Sequence, residues 1–256
     1  MLIIAGPCVY ENDNIAFKTC EFLKKLCEKY GFEYVYKTSY DKANRSSVHS
    51  YRGPGIEKGV EFFIKLKEKF GVKILTDFHS EKEADIIKDY VDILQVPAFL
   101  CRQTDILKAA AKSGKIVNVK KGQFMAPWDM KNVVEKLTYF GAKEIMITER
   151  GYSFGYNNLV VDYRSFPIMK EFCDNIIFDV THSVQLPGGK GFASSGERRF
   201  APYLARAAVA CGVDGLFMEI HPDPDSALCD GANMLDFQMT EKLFDEIKRI
   251  WDTLWM

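Results

Sequence analysis

Residues 91–121, VDILQVPAFLCRQTDILKAAAKSGKIVNVKK, hold two short apolar runs, 91–96 (VDILQV) and 116–121 (IVNVKK), separated by an alanine-rich segment of helical length, 103–113. Short apolar runs of this kind suit strands of a buried parallel sheet, and two parallel strands need a crossover, normally a helix. The unit recurs along the whole chain. Runs at 2–8 (LIIAGPC), 33–39 (EYVYKTS), 72–77 (VKILTD), 144–149 (EIMITE), 176–182 (IIFDVTH) and 215–220 (GLFMEI) bring the strands to eight. Amphipathic or alanine-rich segments at 14–29, 56–70, 80–89, 129–140, 164–173, 198–211 and 239–253 supply the other helices. Strand then helix, eight times, predicts an α/β chain folded as a (β/α)8 TIM barrel. No composition break or low-complexity tract marks a linker, so residues 1–256 read as a single domain.

Composition narrows the partners. With 34 Lys+Arg against 35 Asp+Glu, the net charge of -1 gives no reason to expect non-specific binding to nucleic acid or an anionic membrane. Any basic site must be local. The apolar start MLIIAGPC is short and lacks a basic leader, so it reads as a strand and not a signal peptide. No apolar run reaches membrane-span length; even 201–218 is broken by Arg206 and Asp214. Seven cysteines, odd in number and scattered, suit reduced thiols in a cytoplasmic protein better than a disulfide framework.

A barrel of this type carries its chemistry at the C-terminal ends of the strands and in the loops that follow. The polar residues expected there are Cys8, Lys37, Asp77, Gln95, Lys120, Arg150, His182 and Glu219, one for each strand. Strand ends are wetter than strand middles in any protein, but that alone explains poorly a set so rich in Lys, Arg, His and acids. Alternation refines the choice. Asn118 and Lys120 share a face, so if that face is inward, Lys121 points out toward the helices.

The segment YKTSYDKANRSS, 36–47, follows the second strand and packs Lys37, Lys42 and Arg45 among hydroxyls and Asn44. It suits a phosphate or carboxylate site, and equally a solvated loop. Familiar phosphate loops are missing: there is no G-x-x-x-x-G-K-[ST] and no G-x-G-x-x-G after a strand, so neither an NTPase nor a dinucleotide enzyme is indicated. Cys8, His182 and Glu219 close strands one, seven and eight, neighbours around a closed barrel, and Asp230 lies in the next loop. A thiolate, an imidazole and two carboxylates would suit Zn2+, Fe2+ or Mn2+ better than Mg2+. A cysteine after Gly-Pro also suits plain packing. His49, His79 and His221 read as structural or solvent-exposed. The glycine-rich stretch 187–199, PGGKGFASSGERR, is either a long connection or a lid over the barrel mouth.

IAGPC, YKTSYDKANRSS, GPG at 53–55, TDFH at 76–79, LQVPAFLCRQTD at 94–105, NVKKGQF at 118–124, ITERG at 147–151, DVTHS at 179–183 and LARAAVACGVDGLFMEIHPDPDSALCDGAN at 204–233 together resemble the 3-deoxy-D-manno-octulosonate 8-phosphate synthases over nearly the whole chain. KANRSS sets it apart from the related 3-deoxy-D-arabino-heptulosonate 7-phosphate synthases, which carry a Lys-Pro-Arg-Thr type of motif there. The resemblance implies a cytoplasmic homotetramer acting on small-molecule substrates: phosphoenolpyruvate, D-arabinose 5-phosphate and water give the eight-carbon sugar acid phosphate and inorganic phosphate, a step toward the inner core of lipopolysaccharide. It assigns Lys37, Lys42, Lys120 and Arg150, with the backbone around Ala98, to phosphoenolpyruvate. Asn44, Arg45 and Ser46 fall to the sugar phosphate, and Asp77 and Gln95 to its hydroxyls. Phe99 and Arg102 would reach a neighbouring subunit's site. Family members with cysteine at the position of Cys8 are metal-dependent, so the resemblance implies one divalent ion held by Cys8, His182, Glu219 and Asp230, with Lys42, Lys120, His182 and Asp230 catalytic. Two departures stand out: GKGFASSGERRF differs from the commoner lid pattern, and DGAN has Ala232 where proline is common. Alternatives are a heptulosonate phosphate synthase using erythrose 4-phosphate, a sialic-acid-type synthase, which the Asn44-Arg45-Ser46 cluster argues against, and a non-catalytic sugar-phosphate-binding barrel.

Overall fold

In the computed structural model, which describes residues 1–188 and 195–255, eight parallel strands close into a ring. They are β1 (Leu2–Gly6), β2 (Glu33–Lys37), β3 (Lys73–Asp77), β4 (Ile93–Val96), β5 (Ile116–Lys120), β6 (Ile145–Glu149), β7 (Asn175–Asp179) and β8 (Gly215–Glu219). Each is followed by a helix: α1 (Asp13–Tyr30), α2 (Ile56–Phe70), α3 (Glu81–Ile87), α4 (Thr104–Lys112), α5 (Met130–Tyr139), α6 (Ser165–Lys170), α7 (Ala201–Ala210) and α8 (Phe237–Trp255). The ring runs β1-β8-β7-β6-β5-β4-β3-β2, so β1, β8 and β7 are neighbours as the sequence implied. The (β/α)8 barrel is borne out.

The period of two along each strand builds two cores. Ile4, Val35, Leu75, Ile93, Met146, Ile177 and Phe217 fill the barrel interior. The intervening positions, among them Ile3, Ala5, Ile74, Leu94, Val119, Ile176 and Met218, pack against the helices. Each buried Val, Leu, Ile, Met or Phe side chain among them contributes about 1.5–3 kcal/mol of transfer free energy. Two residues beyond Val35, Leu75, Ile93, Ile177 and Phe217, hence on the same inward face, stand Lys37, Asp77, Gln95, Asp179 and Glu219. The interior therefore turns from apolar to charged in one step at the C-terminal end. β1 and β2 approach so closely there that a Cβ on Gly6 would lie 2.1 Å from the Lys37 carbonyl oxygen.

Several expected boundaries move. β1 stops at Gly6 and β6 at Glu149, so Cys8 and Arg150 lie in the loops beyond their strands. β7 ends at Asp179 because that side chain accepts the amides of Thr181 (3.2 Å) and His182 (2.9 Å), turning the chain into a 3-10 turn at His182–Val184. The segment 198–211 opens as a separate 3-10 turn, Arg198–Phe200, and the helix expected over 164–173 is only α6. Gln185–Leu186 pairs antiparallel with Ser195–Gly196. The suggested lid over 187–199 lies in part outside the described residues, at 189–194. Among the described residues no helix is long and apolar enough to cross a membrane.

Candidate active site and metal centre

The charged end of the barrel opens into a cavity of about 420 Å³ lined by Lys37, Lys42, Arg45, Lys120 and Arg150 together with Asp77, Asp179, Glu219 and Asp230. Its floor is the Phe217 ring, with Lys120 Nζ 3.0 Å from the ring centroid. Lys120 Nζ also donates to Asp179 Oδ2 at 2.5 Å, and the same oxygen lies 2.8 Å from His182 Nδ1. A carboxylate at Nδ1 favours the proton on that nitrogen and leaves Nε2 as a lone pair facing the cavity.

Beside this pair, Lys37 Nζ donates to Glu219 Oε1 at 2.5 Å and to the Cys8 carbonyl at 3.0 Å, while Lys42 Nζ stands 3.6 Å from the same Glu219 oxygen. Burial alone would raise the Glu219 carboxyl, but Lys37 and Lys42 hold it well below the usual carboxylate range. Burial dominates at Lys120 and pushes its ammonium down to about 7, with Asp179 offsetting only part of that cost. Arg45 faces Asp230 at 3.3 Å. Arg150 is different: its guanidinium bonds Gln123 Oε1 (3.0 Å), Gln185 Oε1 (2.9 Å) and the His182 carbonyl, all neutral acceptors. Lys42 and Arg150 thus bring positive charge that no carboxylate fully claims, and a small multiply charged anion would supply the missing negative charge.

His182 Nε2 lies 3.6 Å from Glu219 Oε2 and 3.9 Å from Asp230 Oδ2. One donor atom from each of these three residues falls within 4.8 Å of the others, and Cys8, Cys229 and Asp230 make a second such group. Asp230 joins the two. Its backbone is left-handed, φ 48°, a conformation that aspartate adopts more readily than most non-glycine residues. Glu219 Oε2 is buried with no hydrogen-bond partner. An orphaned carboxylate oxygen beside an imidazole lone pair, a second carboxylate and thiols is a donor set that fits a borderline divalent cation.

Of the residues singled out from sequence, Lys37, Lys42, Asn44, Arg45, Ser46, Asp77, Gln95, Ala98, Phe99, Lys120, Arg150, His182, Glu219 and Asp230 all line the cavity. Cys8 sits behind its wall, packed with Cys229. Arg102 is exposed away from the cavity, and Phe99, 53% exposed, stands on the rim of its own chain's cavity. Lys121 points out of the barrel, 3.3 Å from Glu149, as alternation required. His79 is not solvent-exposed: with Ser39 Oγ at 2.5 Å it holds Asp77, through Nε2 at 3.3 Å. Burial would raise Asp77, yet His79, Lys42 and Lys37 keep it well below the usual range. His221 is buried and closes the turn at Asp223. Sequence reading missed Asp179, Phe217, Gln123, Gln185 and Cys229. Asp179 and Phe217 were discoverable, since they share the inward face with Ile177 and Glu219 respectively.

The model of the DAHP synthetase I family matches residues 1–253. The 2-dehydro-3-deoxyphosphooctonate aldolase of Geobacter sp. strain M21 is 53% identical over 250 residues, 98% of this chain and 92% of that protein. Proteins of the same name from Cyanothece sp. strain PCC 7425 and Desulfotalea psychrophila strain LSv54 are each 52% identical, covering 97% and 98% of this chain and 91% and 89% of their own lengths.

Proposed function

We propose that this chain, which belongs to the DAHP synthetase I family, condenses phosphoenolpyruvate with D-arabinose 5-phosphate and water to give 3-deoxy-D-manno-octulosonate 8-phosphate and inorganic phosphate. The observation that carries the reading is the cavity itself: five cationic side chains, Lys37, Lys42, Arg45, Lys120 and Arg150, converge on one pocket in a chain of net charge -1. Two phosphorylated substrates cannot share so small a space unless cations offset their mutual repulsion.

Lys37, Lys42, Lys120 and Arg150, with the Ala98 backbone, take phosphoenolpyruvate. Asn44, Arg45 and Ser46 take the phosphate of the sugar, and Asp77 and Gln95 orient its hydroxyls. C3 of phosphoenolpyruvate attacks the aldehyde carbon of the open-chain sugar, forming the new C–C bond. Water adds at C2, and the resulting hemiketal phosphate collapses by C–O cleavage to release inorganic phosphate. Lys120, titrating at about 7, is placed to hold or pass a proton beside the bound phosphoenolpyruvate. Asp179 keeps Lys120 and the His182 ring in position from behind.

Cys8, His182, Glu219 and Asp230 would hold one divalent ion, Zn2+, Fe2+ or Mn2+, supported by the orphaned Glu219 oxygen and by Asp230, which belongs both to the donor group with His182 and Glu219 and to the one with Cys8. When bound, such an ion supplies Lewis acidity toward a substrate or water oxygen. A cytoplasmic homotetramer belongs to the same reading, with Phe99 and Arg102 reaching a neighbour's cavity; the exposure of both side chains supports it.

The test is aldose choice. Turnover with phosphoenolpyruvate should favour arabinose 5-phosphate over erythrose 4-phosphate in kcat/KM by at least about tenfold. A preference for erythrose 4-phosphate would transfer the chain to heptulosonate phosphate synthesis, and no turnover with either would leave only binding.

A further inference from the structure

We infer that Cys229 supplies a second thiolate to the divalent ion proposed at Cys8, His182, Glu219 and Asp230, an inference that rests on that metal reading. Cys229 Sγ lies 2.8 Å from Cys8 Sγ, and the two sulfurs with an Asp230 carboxylate oxygen fall within 4.8 Å of one another. Both thiols are buried, 1% and 2% exposed, with Val9 and Met234 as their apolar neighbours.

The loop around Cys229 is held on both sides. The Leu228 amide donates to Glu11 Oε1 at 3.2 Å, Arg198 Nη2 donates to the Gly231 carbonyl at 2.8 Å, and the Asn233 amide closes on the Asp230 carbonyl at 2.9 Å. A Cβ on Gly231 would meet the Pro224 carbonyl oxygen at 2.2 Å, so the chain passes there with no room to shift. These constraints fix the Cys229 sulfur against Cys8. An independent observation points to an ion: Glu219 Oε2 is buried with no hydrogen-bond partner, 3.6 Å from His182 Nε2, in the donor group that Asp230 joins to the two thiols. Two soft donors added to an imidazole and carboxylates suit Zn2+ better than Mg2+.

Co2+ reads the number of thiolates directly, because each Co–S bond adds intensity to a near-ultraviolet charge-transfer band. Wild-type protein, Cys229→Ser, Cys8→Ser and the double variant would be loaded with Co2+ in reducing buffer and compared per bound ion. The band should fall to about half in each single variant and vanish in the double one. A wild-type band retained in Cys229→Ser and lost in Cys8→Ser would overturn the inference. X-ray absorption of the Zn2+-loaded wild-type protein settles the matter without relying on any variant's folding: two sulfur neighbours support the inference, one sulfur refutes it while leaving the four-residue site intact. No binding of Co2+ or Zn2+ by the wild-type protein would overturn both.

Discussion

Asp179→Asn exchanges one oxygen for an amide at the point where two functional side chains meet. The carboxylate has no exposure to solvent, takes Lys120 Nζ at 2.5 Å and His182 Nδ1 at 2.8 Å on one oxygen, and accepts two backbone amides on the other. Asparagine can keep the amide contacts, so the turn into His182–Val184 should survive. It cannot neutralise Lys120. Removing one partner of a buried ion pair costs about 3–5 kcal/mol while the other stays charged, which for Lys120 means below about pH 7. In a domain of this size, where 1 kcal/mol moves the melting temperature by about 2–4 °C, the loss is roughly 6–20 °C. The asparagine amide can also donate to His182 Nδ1, which would place the ring proton on Nε2, the nitrogen facing Glu219 and Asp230. Loss of such an outer partner typically weakens metal binding by about 10–100-fold. Thermal unfolding in the presence of a chelator reads the first effect, and competition with a chromophoric chelator the second. A variant melting within about 2 °C of wild type and binding Zn2+ as tightly would refute the role given to Asp179.

Lys120 titrates at about 7 in the free protein, so above that pH it must take up a proton to meet phosphoenolpyruvate. The affinity should fall by up to about tenfold per pH unit above 7, and calorimetry at pH 8 in buffers of different ionisation enthalpy should show proton uptake; none would contradict the placement. Gly6→Ala should force β1 from β2 and displace Lys37, because its Cβ would lie 2.1 Å from the Lys37 carbonyl oxygen; a soluble variant with wild-type KM for phosphoenolpyruvate would contradict this. Asp77 has a folded pKa below its unfolded value, so its contribution to stability is complete above about pH 4 and is lost as pH falls through that region toward the folded value. Asp77→Asn should therefore flatten the acid limb of the stability profile, and an unchanged limb would count against the His79 and Lys42 contacts as its cause.

The barrel was legible because its strands are short apolar runs at regular spacing, each closed by a polar residue, and because closure makes strands one, seven and eight neighbours. Lys120 could be preferred over Lys121 from alternation alone, and Glu149, facing Lys121, confirms the outward side. Asp179 escaped because the run IIFDVTH reads as one strand ending at His182, whereas the aspartate side chain itself captures the amides that end the strand. Cys229 escaped for a different reason. Its approach to Cys8 is set by loop contacts 221 residues apart in sequence and by the left-handed turn at Asp230, neither of which leaves a periodic trace. Gln123 and Gln185 are likewise loop residues that only the folded chain brings to Arg150. Arg102 remains outside the cavity of its own chain, a position that sequence reading assigned through resemblance and not through any pattern in the residues.

The central claim is a metal-dependent condensation of two phosphorylated substrates in this cavity. Phosphate release from phosphoenolpyruvate on adding arabinose 5-phosphate, measured before and after treatment with a chelator, tests it most directly. The account predicts release that stops with the chelator and returns with Mn2+ or Zn2+. Release indifferent to the chelator would contradict the metal centre, and no release in untreated protein would contradict the condensation itself.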